Sequence, residues 1–198
     1  MKHSPIASGT AQGDLFGTPL LPGLSAADAF LAADDEAELI ANIEGAELAP
    51  FRFQQWEGKR LTHSFGWSYD FQTGVFAPAE PLPEWLRPLA ARAESFAGIA
   101  PGSIAQALLI AYGPGAGIGW HRDRPVFDHV VGVSLGAPAA MRFRRRSADR
   151  FERFSLPLAP RSIYHLSGEA RHDWEHSIAP IDEPRWSITF RSLAERSR

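Results

Sequence analysis

A chain of 198 residues with 44% hydrophobic and 22% charged residues is long enough for one domain with a sizeable core, and its make-up is that of an ordinary globular protein. The absence of cysteine excludes disulfides and thiolate metal sites, and a formal net charge of -3 gives no global attraction to polyanions. Any binding of nucleic acid has to come from a local patch.

Residues 1–23 are rich in Gly, Pro, Ser and Thr and read as a flexible N-terminal arm, leaving 24–198 as a single domain. The start, MKHSPIASGTAQGDLFG, lacks an apolar signal core, and no run approaches the roughly 20 residues that span a bilayer. The expectation is a cytoplasmic monomer without a membrane partner. Leu39, Ile40 and Ile43, with acids between them, predict a helix from about Asp35 to Ile43 that ends near Gly45. The aromatic stretch FRFQQWEGKRLTHSFGWSYDF predicts a strand pair around a turn near Gly58. After the connector PAEPLP, a second helix over Trp85–Phe96 places Leu86, Leu89 and Ala93 on one face. From Ser103 onward short strands follow at regular spacing: Ala105–Tyr112, His129–Leu135, Met141–Arg146, Phe151–Leu156, Ser162–Leu166, His176–Ala179 and Arg185–Leu193. Two helices ahead of many short strands argue for an α+β domain with a sandwich or jelly-roll core.

Chemistry concentrates where the first of these strands ends. AQALLIAYGPGAGIGWHRD runs from Ala105 through a glycine-rich turn to His121 and Asp123, which share a face on an extended backbone. His165, His172 and His176 are candidates for a third ligand. The HDWEH segment superficially resembles a zinc-hydrolase helix, but that motif needs about two helical turns. Gly168 upstream and Pro180 downstream leave little room for them, and on an extended segment only one of its histidines points at the metal. In RWSITFR, alternation sets Arg185, Ser187, Thr189 and Arg191 on one face and Trp186, Ile188 and Phe190 on the other, against the core. Buried arginines demand partners, and their fork suits carboxylates, so this strand offers a slot for a dicarboxylate. An exposed edge strand with solvated arginines is the plainer reading of the same alternation. Two histidines and a carboxylate form the facial triad of non-haem Fe(II) oxygenases, with open positions for a cosubstrate and O2.

The chain resembles the AlkB-type Fe(II)/2-oxoglutarate-dependent dioxygenases from about Phe51 to Leu193. The resemblance rests on Tyr112, Pro114 and Gly115 ahead of His121 and Asp123, on VGVSLGAPAAMRFR, on SGEAR followed by Trp174 and His176, and on RWSITFR. It implies a double-stranded β-helix, iron held by His121, Asp123 and His176, and 2-oxoglutarate bound through Tyr112, Arg185 and Arg191. Arg185 would clamp the distal carboxylate, with Arg191 near the metal-side end. RLTHSFGWSYDF looks like the family's substrate lid, with Tyr69 lining the base pocket. Two positions depart from the pattern: Ile110 stands where well-known members carry an Asn, and Pro125 where the best-known member has an acid that reads the base.

The implied reaction is oxidative dealkylation of N-alkylated bases in DNA or RNA, giving succinate, CO2 and an aldehyde. Such a base has to be flipped out or come from a single strand. Tyr69 and Trp67 are candidates to stack on it, one of the two facing the pocket, with Tyr69 preferred. The segment MRFRRRSADRFER holds Arg142, Arg144, Arg145, Arg146, Arg150 and Arg153, a hairpin suited to phosphates, with Arg144 and Arg145 foremost. His63, His129, His165 and His172 receive no ligand role. The alternatives are the same chemistry on a methylated protein or lipid, or an inactive metal-binding β-sandwich module.

Overall fold

Alternating apolar and polar residues pair into two antiparallel sheets that stack face to face. The computed structural model describes residues 21–53, 56–69 and 74–195. In chain order the elements are β1 (Leu24–Ala27), α1 (Ala33–Glu44), β2 (Ala49–Phe53), β3 (Trp56–Phe65), β4 (Trp67–Tyr69), β5 (Phe76–Pro78), a 3-10 turn (Glu84–Leu86), α2 (Arg87–Ala97), β6 (Ile104–Tyr112), β7 (Ala116–His121), β8 (Phe127–Gly136), β9 (Ala139–Ser147), β10 (Arg150–Leu158), β11 (Ile163–Leu166), α3 (Gly168–His172), β12 (Glu175–Ile181) and β13 (Arg185–Leu193). Seven strands form the major sheet in the order β1-β11-β8-β13-β6-β3-β2. Four form the minor sheet, β10-β9-β12-β7, and β4 pairs with β5 as a separate hairpin.

The two helices cover one face of the major sheet. α1 opens with Asp34, Asp35 and Glu36 in its first turn, where acids favour the helix dipole, and turns Leu39 and Ile43 inward. α2 carries a proline in its first turn and closes on Gly98, whose left-handed φ of 66° suits a residue without Cβ. Their apolar stripes meet Ala107, Leu109, Val131, Val133, Ile188 and Phe190 in the larger core cluster. The other face of the major sheet looks at the minor sheet. There β13 presents Arg185, Ser187, Thr189 and Arg191, while Leu108, Ile110 and Tyr112 of neighbouring β6 line the same cavity.

β13 is therefore an interior strand between β8 and β6, not an exposed edge. The expected arm of residues 1–23 ends too late. Residues 1–20 lie outside the described residues, but Leu21 packs on the second core cluster, and the carbonyls of Pro22 and Gly23 accept from Ala170 and Ser167. The turn expected near Gly58 falls earlier, because Phe53 pairs with Trp56 and Gly58 sits inside β3. The glycine-rich stretch read as a turn before His121 contains a strand, β7. Two bulges accommodate it: Gly119 and Trp120 stand opposite the single Ser177, and Ala179 and Pro180 opposite Gly117. A Cβ on Gly117 would lie 2.8 Å from the Ile178 carbonyl oxygen, so only glycine lets the strands approach.

Candidate metal and cosubstrate site

His121 and His176 are direct cross-strand partners on β7 and β12, a pairing that brings Cβ atoms to about 5 Å. Their rings lie 4.3 Å apart. Without the bulge at Gly119–Trp120, alternation would turn Ile118 and His121 to opposite faces, whereas both line the cavity between the sheets. Asp123 follows two residues beyond His121. The ligand atoms of His121, Asp123 and His176 all lie within 4.8 Å of one another, the one such group among the described residues.

Each member is oriented by a neighbour. The His121 Nδ1 sits 2.9 Å from the Gly119 carbonyl oxygen, so it carries the proton and Nε2 remains a donor for a metal. Asp123 Oδ1 accepts from Arg191 Nε at 2.8 Å and stands 2.7 Å from Nη2, while Arg191 Nη1 donates to Gln106 Oε1 at 2.9 Å. Gln106 in turn donates to the Trp67 carbonyl at 2.7 Å. Burial works to raise the Asp123 carboxyl, but Arg191 first, then His176 and His121, hold it well below the ordinary carboxylate range. His176 is pushed down to about 3, by burial and then by His121. An ionised carboxylate and a neutral imidazole are the protonation states a divalent metal requires. The donor set of two nitrogens and one carboxylate oxygen fits non-haem Fe(II).

Arg185 faces the same cavity and is 1% exposed. One nitrogen, Nη2, donates to Ser134 Oγ at 3.0 Å, but Nε and Nη1 are buried with no hydrogen-bond partner. Its guanidinium lies 4.7 Å from the centre of the Tyr112 ring, whose hydroxyl is 3.5 Å from Ser187 Oγ. A buried cation with two unsatisfied donors calls for a carboxylate. Arg191, by contrast, has each of its three nitrogens against Asp123 or Gln106, so it grips the metal carboxylate. Ile110, 4% exposed, lines the cavity without a polar group.

Above this cavity opens a cleft of about 1260 Å³ bordered by Phe51, Arg60, Tyr69, Trp120, Arg122 and Arg124, among others. That exceeds the roughly 300–1,000 Å³ of ordinary small-molecule pockets. Tyr69 lines the cleft with the Arg124 guanidinium 3.2 Å over its ring. Trp67 does not line it: its indole stacks on Phe76 at 4.7 Å, and Phe76 meets Phe127 edge-on, so Trp67 braces the hairpin. Pro125 lies on the cleft wall.

Arg144 and Arg145 do not act together. Consecutive strand residues point to opposite faces. Arg145 pairs with Glu152 at 2.7 Å and Glu169 at 2.8 Å, and Arg144 with Glu175 at 2.6 Å. Within HDWEH, only His172 is helical, at the end of the five-residue α3, and only His176 joins the metal group. The two-turn helix of a zinc hydrolase is therefore absent from this segment. His172 faces Asp128 at 3.5 Å, and His129 is bonded to His165 at 2.9 Å, away from the triad.

Four residues at the site received no role from the sequence. Arg60 lines both cavity and cleft, covers the Phe51 ring at 3.9 Å, and has a buried Nε without a partner. Arg171, 3% exposed, donates to the carbonyls of Arg124 and Phe127 and pins the loop after Asp123. Gln106 links Arg191 to the hairpin. Tyr164 lines the inner cavity, and burial raises its pKa so that the phenol stays protonated. A Cβ on Gly132, its cross-strand partner, would lie 2.1 Å from Tyr164 Cζ, so the bare glycine is the one readable sign of that ring.

Comparison with known proteins follows the same lines. A family model described as the 2OG-Fe(II) oxygenase superfamily matches residues 30–192. The chain is 27% identical over 200 residues to the "Alkylated DNA repair protein ALKBH8 homolog" of Arabidopsis thaliana, covering 87% of this chain and 56% of that protein. It is 25% identical over 170 residues to the "tRNA (carboxymethyluridine(34)-5-O)-methyltransferase ALKBH8" of Mus musculus, covering 81% of this chain and 25% of that protein. The chain thus spans about half or less of the length of these curated relatives. Among solved structures, "The structure of OsALKBH1" superposes with a TM-score of 0.69 at 17% identity, covering 87% of this chain and 98% of that one, a likeness of fold.

Proposed function

The chain belongs to the 2OG-Fe(II) oxygenase superfamily as an AlkB-like dioxygenase using Fe(II), 2-oxoglutarate and O2, and on that premise we propose that it removes N-alkyl groups from bases of DNA or RNA. The observation that carries the site assignment is Arg185: a buried guanidinium with two free donors, in the same cavity as His121, Asp123 and His176.

In this reading His121, Asp123 and His176 hold the iron, and Arg185 takes the distal carboxylate of 2-oxoglutarate. Bound there, the pair supplies coupled oxidation: 2-oxoglutarate and O2 give succinate and CO2 while an N-alkyl carbon is hydroxylated and leaves as an aldehyde. Arg191 keeps Asp123 ionised and oriented. Tyr112 packs its ring on Arg185, and Tyr164, held neutral, offers a hydroxyl in the same cavity. Leu108, Ile110 and Ile118 give the otherwise polar inner cavity an apolar stretch of wall that limits water at the reacting centre.

The nucleic-acid part of the proposal is supported by the cleft. It is wide, aromatic at Phe51, Tyr69 and Trp120, and bordered by Arg60, Arg122 and Arg124. Tyr69 and Arg124 form a guanidinium–aromatic stack against which a flipped base packs. Arg144 and Arg145 have no direct part in binding the base. A panel of N-methylated single- and double-stranded DNA and RNA oligonucleotides, incubated with enzyme, Fe(II) and 2-oxoglutarate in air and read by mass spectrometry, tests this. Loss of the methyl group from at least one member, abolished by His121→Ala, is expected. If 2-oxoglutarate is consumed yet every oligonucleotide is unaltered, the substrate is not an N-methylated nucleic acid.

A further inference from the structure

We propose that the outer face of the four-stranded sheet is a stacking platform for single-stranded nucleic acid, guiding the strand into the cleft. This rests on the nucleic-acid reading above and names the surface that recognises the polymer. Alternation along β9 turns Met141, Phe143 and Arg145 toward the sandwich and Arg142, Arg144 and Arg146 away from it. On β10 the outward residues include Phe151 and Arg153, which pair in register with Arg146 and Arg144. Across the sheet, the bulge in β7 turns Trp120 to this same face.

These side chains form one row. The Arg144 guanidinium lies 4.4 Å from the Trp120 ring and 4.9 Å from the Phe151 ring, fixed between them by Glu175. Arg142 lies 5.2 Å from Trp120 and Arg153 5.8 Å from Phe151. Among the described residues, no carboxylate pairs with Arg142, Arg146 or Arg153. Among the described residues Glu175, bound to Arg144, is the one carboxylate paired with any of these four arginines, within a protein whose net charge is -3. Charges that only discourage edge pairing need no aromatic partners, yet Phe151 is 40% exposed. Alternating exposed rings and cations are the chemistry that stacks bases and holds phosphates without reading sequence. Trp120 and Glu175 also line the cleft, so the row is continuous with the site.

The experiment is fluorescence anisotropy of a labelled, unmodified oligothymidylate with the full chain at several salt concentrations. Combining Arg142→Glu with Arg153→Glu is expected to weaken binding at least about tenfold and to reduce the log–log salt slope by about 1.4, roughly 0.7 for each single-strand phosphate that is no longer neutralised. Phe151→Ala is expected to weaken binding about fivefold or more with the slope unchanged, and Phe151→Trp to retain it, since stacking tolerates a change of ring. Arg87→Glu makes the charge change of one of these substitutions on α2, which covers the far face of the major sheet, and should leave affinity within about twofold, as a charge far from the phosphates adds little beyond a Debye length. If the wild type binds and every variant binds equally well, the platform is overturned while the nucleic-acid reading stands. If the wild type binds no oligonucleotide, that reading itself fails. If polyglutamate displaces the oligonucleotide as well as unlabelled strand does, and Phe151→Ala has no effect, the face is a site for an acidic polypeptide, and the inference is overturned.

Discussion

At the scale of single residues, a cation at 1% exposure with two unsatisfied nitrogens destabilises the protein until a carboxylate arrives. Arg185→Met should therefore leave the thermal midpoint of the ligand-free protein unchanged or higher. Arg185→Gln should raise KM for 2-oxoglutarate about ten- to a hundredfold, the worth of roughly 1.5–3 kcal/mol for a hydrogen bond to a charged group. Fe(II) affinity, measured without oxygen, should change little. A second expectation concerns pH. His165 is held down to about 4, by burial and then by His129. Below about pH 6.5 the unfolded chain takes up a proton there that the folded chain refuses until about pH 4, so stability falls as pH drops through that window. His165→Gln should flatten the dependence of the thermal midpoint on pH between those limits, and an unchanged profile would show that His165 does not contribute. Residues whose type and spacing state their chemistry, such as His121, Asp123 and Arg185, were legible in the sequence. Arg60 and Arg171 fall inside matched motifs, yet their roles were not legible, because an arginine in a mixed segment has no periodicity that separates a buried cation from a solvated one.

At the scale of elements, strict alternation made β13 readable from end to end, and the acids and terminal Gly45 made α1 readable to within two residues. β7 was hidden because its glycines imitate a turn, although Gly117 and Gly119 serve strand packing and a bulge. Arg144 and Arg145 read as a pair because sequence adjacency suggests proximity, while a pleated strand separates neighbours to opposite faces. Gly132 gives the sharpest test at this scale. Gly132→Ala forces a methyl into the Tyr164 ring and should cost about 1–3 kcal/mol of stability by overpacking. Chemical denaturation measures it, and combination with Tyr164→Leu should recover part of the loss. Equal losses in the single and double variants would mean that the glycine answers to something other than the ring.

At the scale of the whole molecule, two sheets enclose the site while their shared open end forms the cleft, so the oxidising centre is deep and the recognition surface wide. The jelly-roll class was legible from the spacing of short strands, since many half-buried strands have few ways to cover their apolar faces. The arginine-rich hairpin was legible too, from MRFRRRSADRFER, but not which of its arginines face outward. A net charge of -3 hides an arginine-rich face because the acids are distributed elsewhere. The central claim is that oxidation of 2-oxoglutarate is coupled to removal of an alkyl group from a nucleic-acid base. Its most direct measurement is the ratio of aldehyde released to succinate formed on an N-methylated single-stranded oligonucleotide under air with Fe(II). The account predicts a ratio near one for the wild type, with both products lost together in Asp123→Ala. Succinate formed without aldehyde on every methylated strand would contradict it.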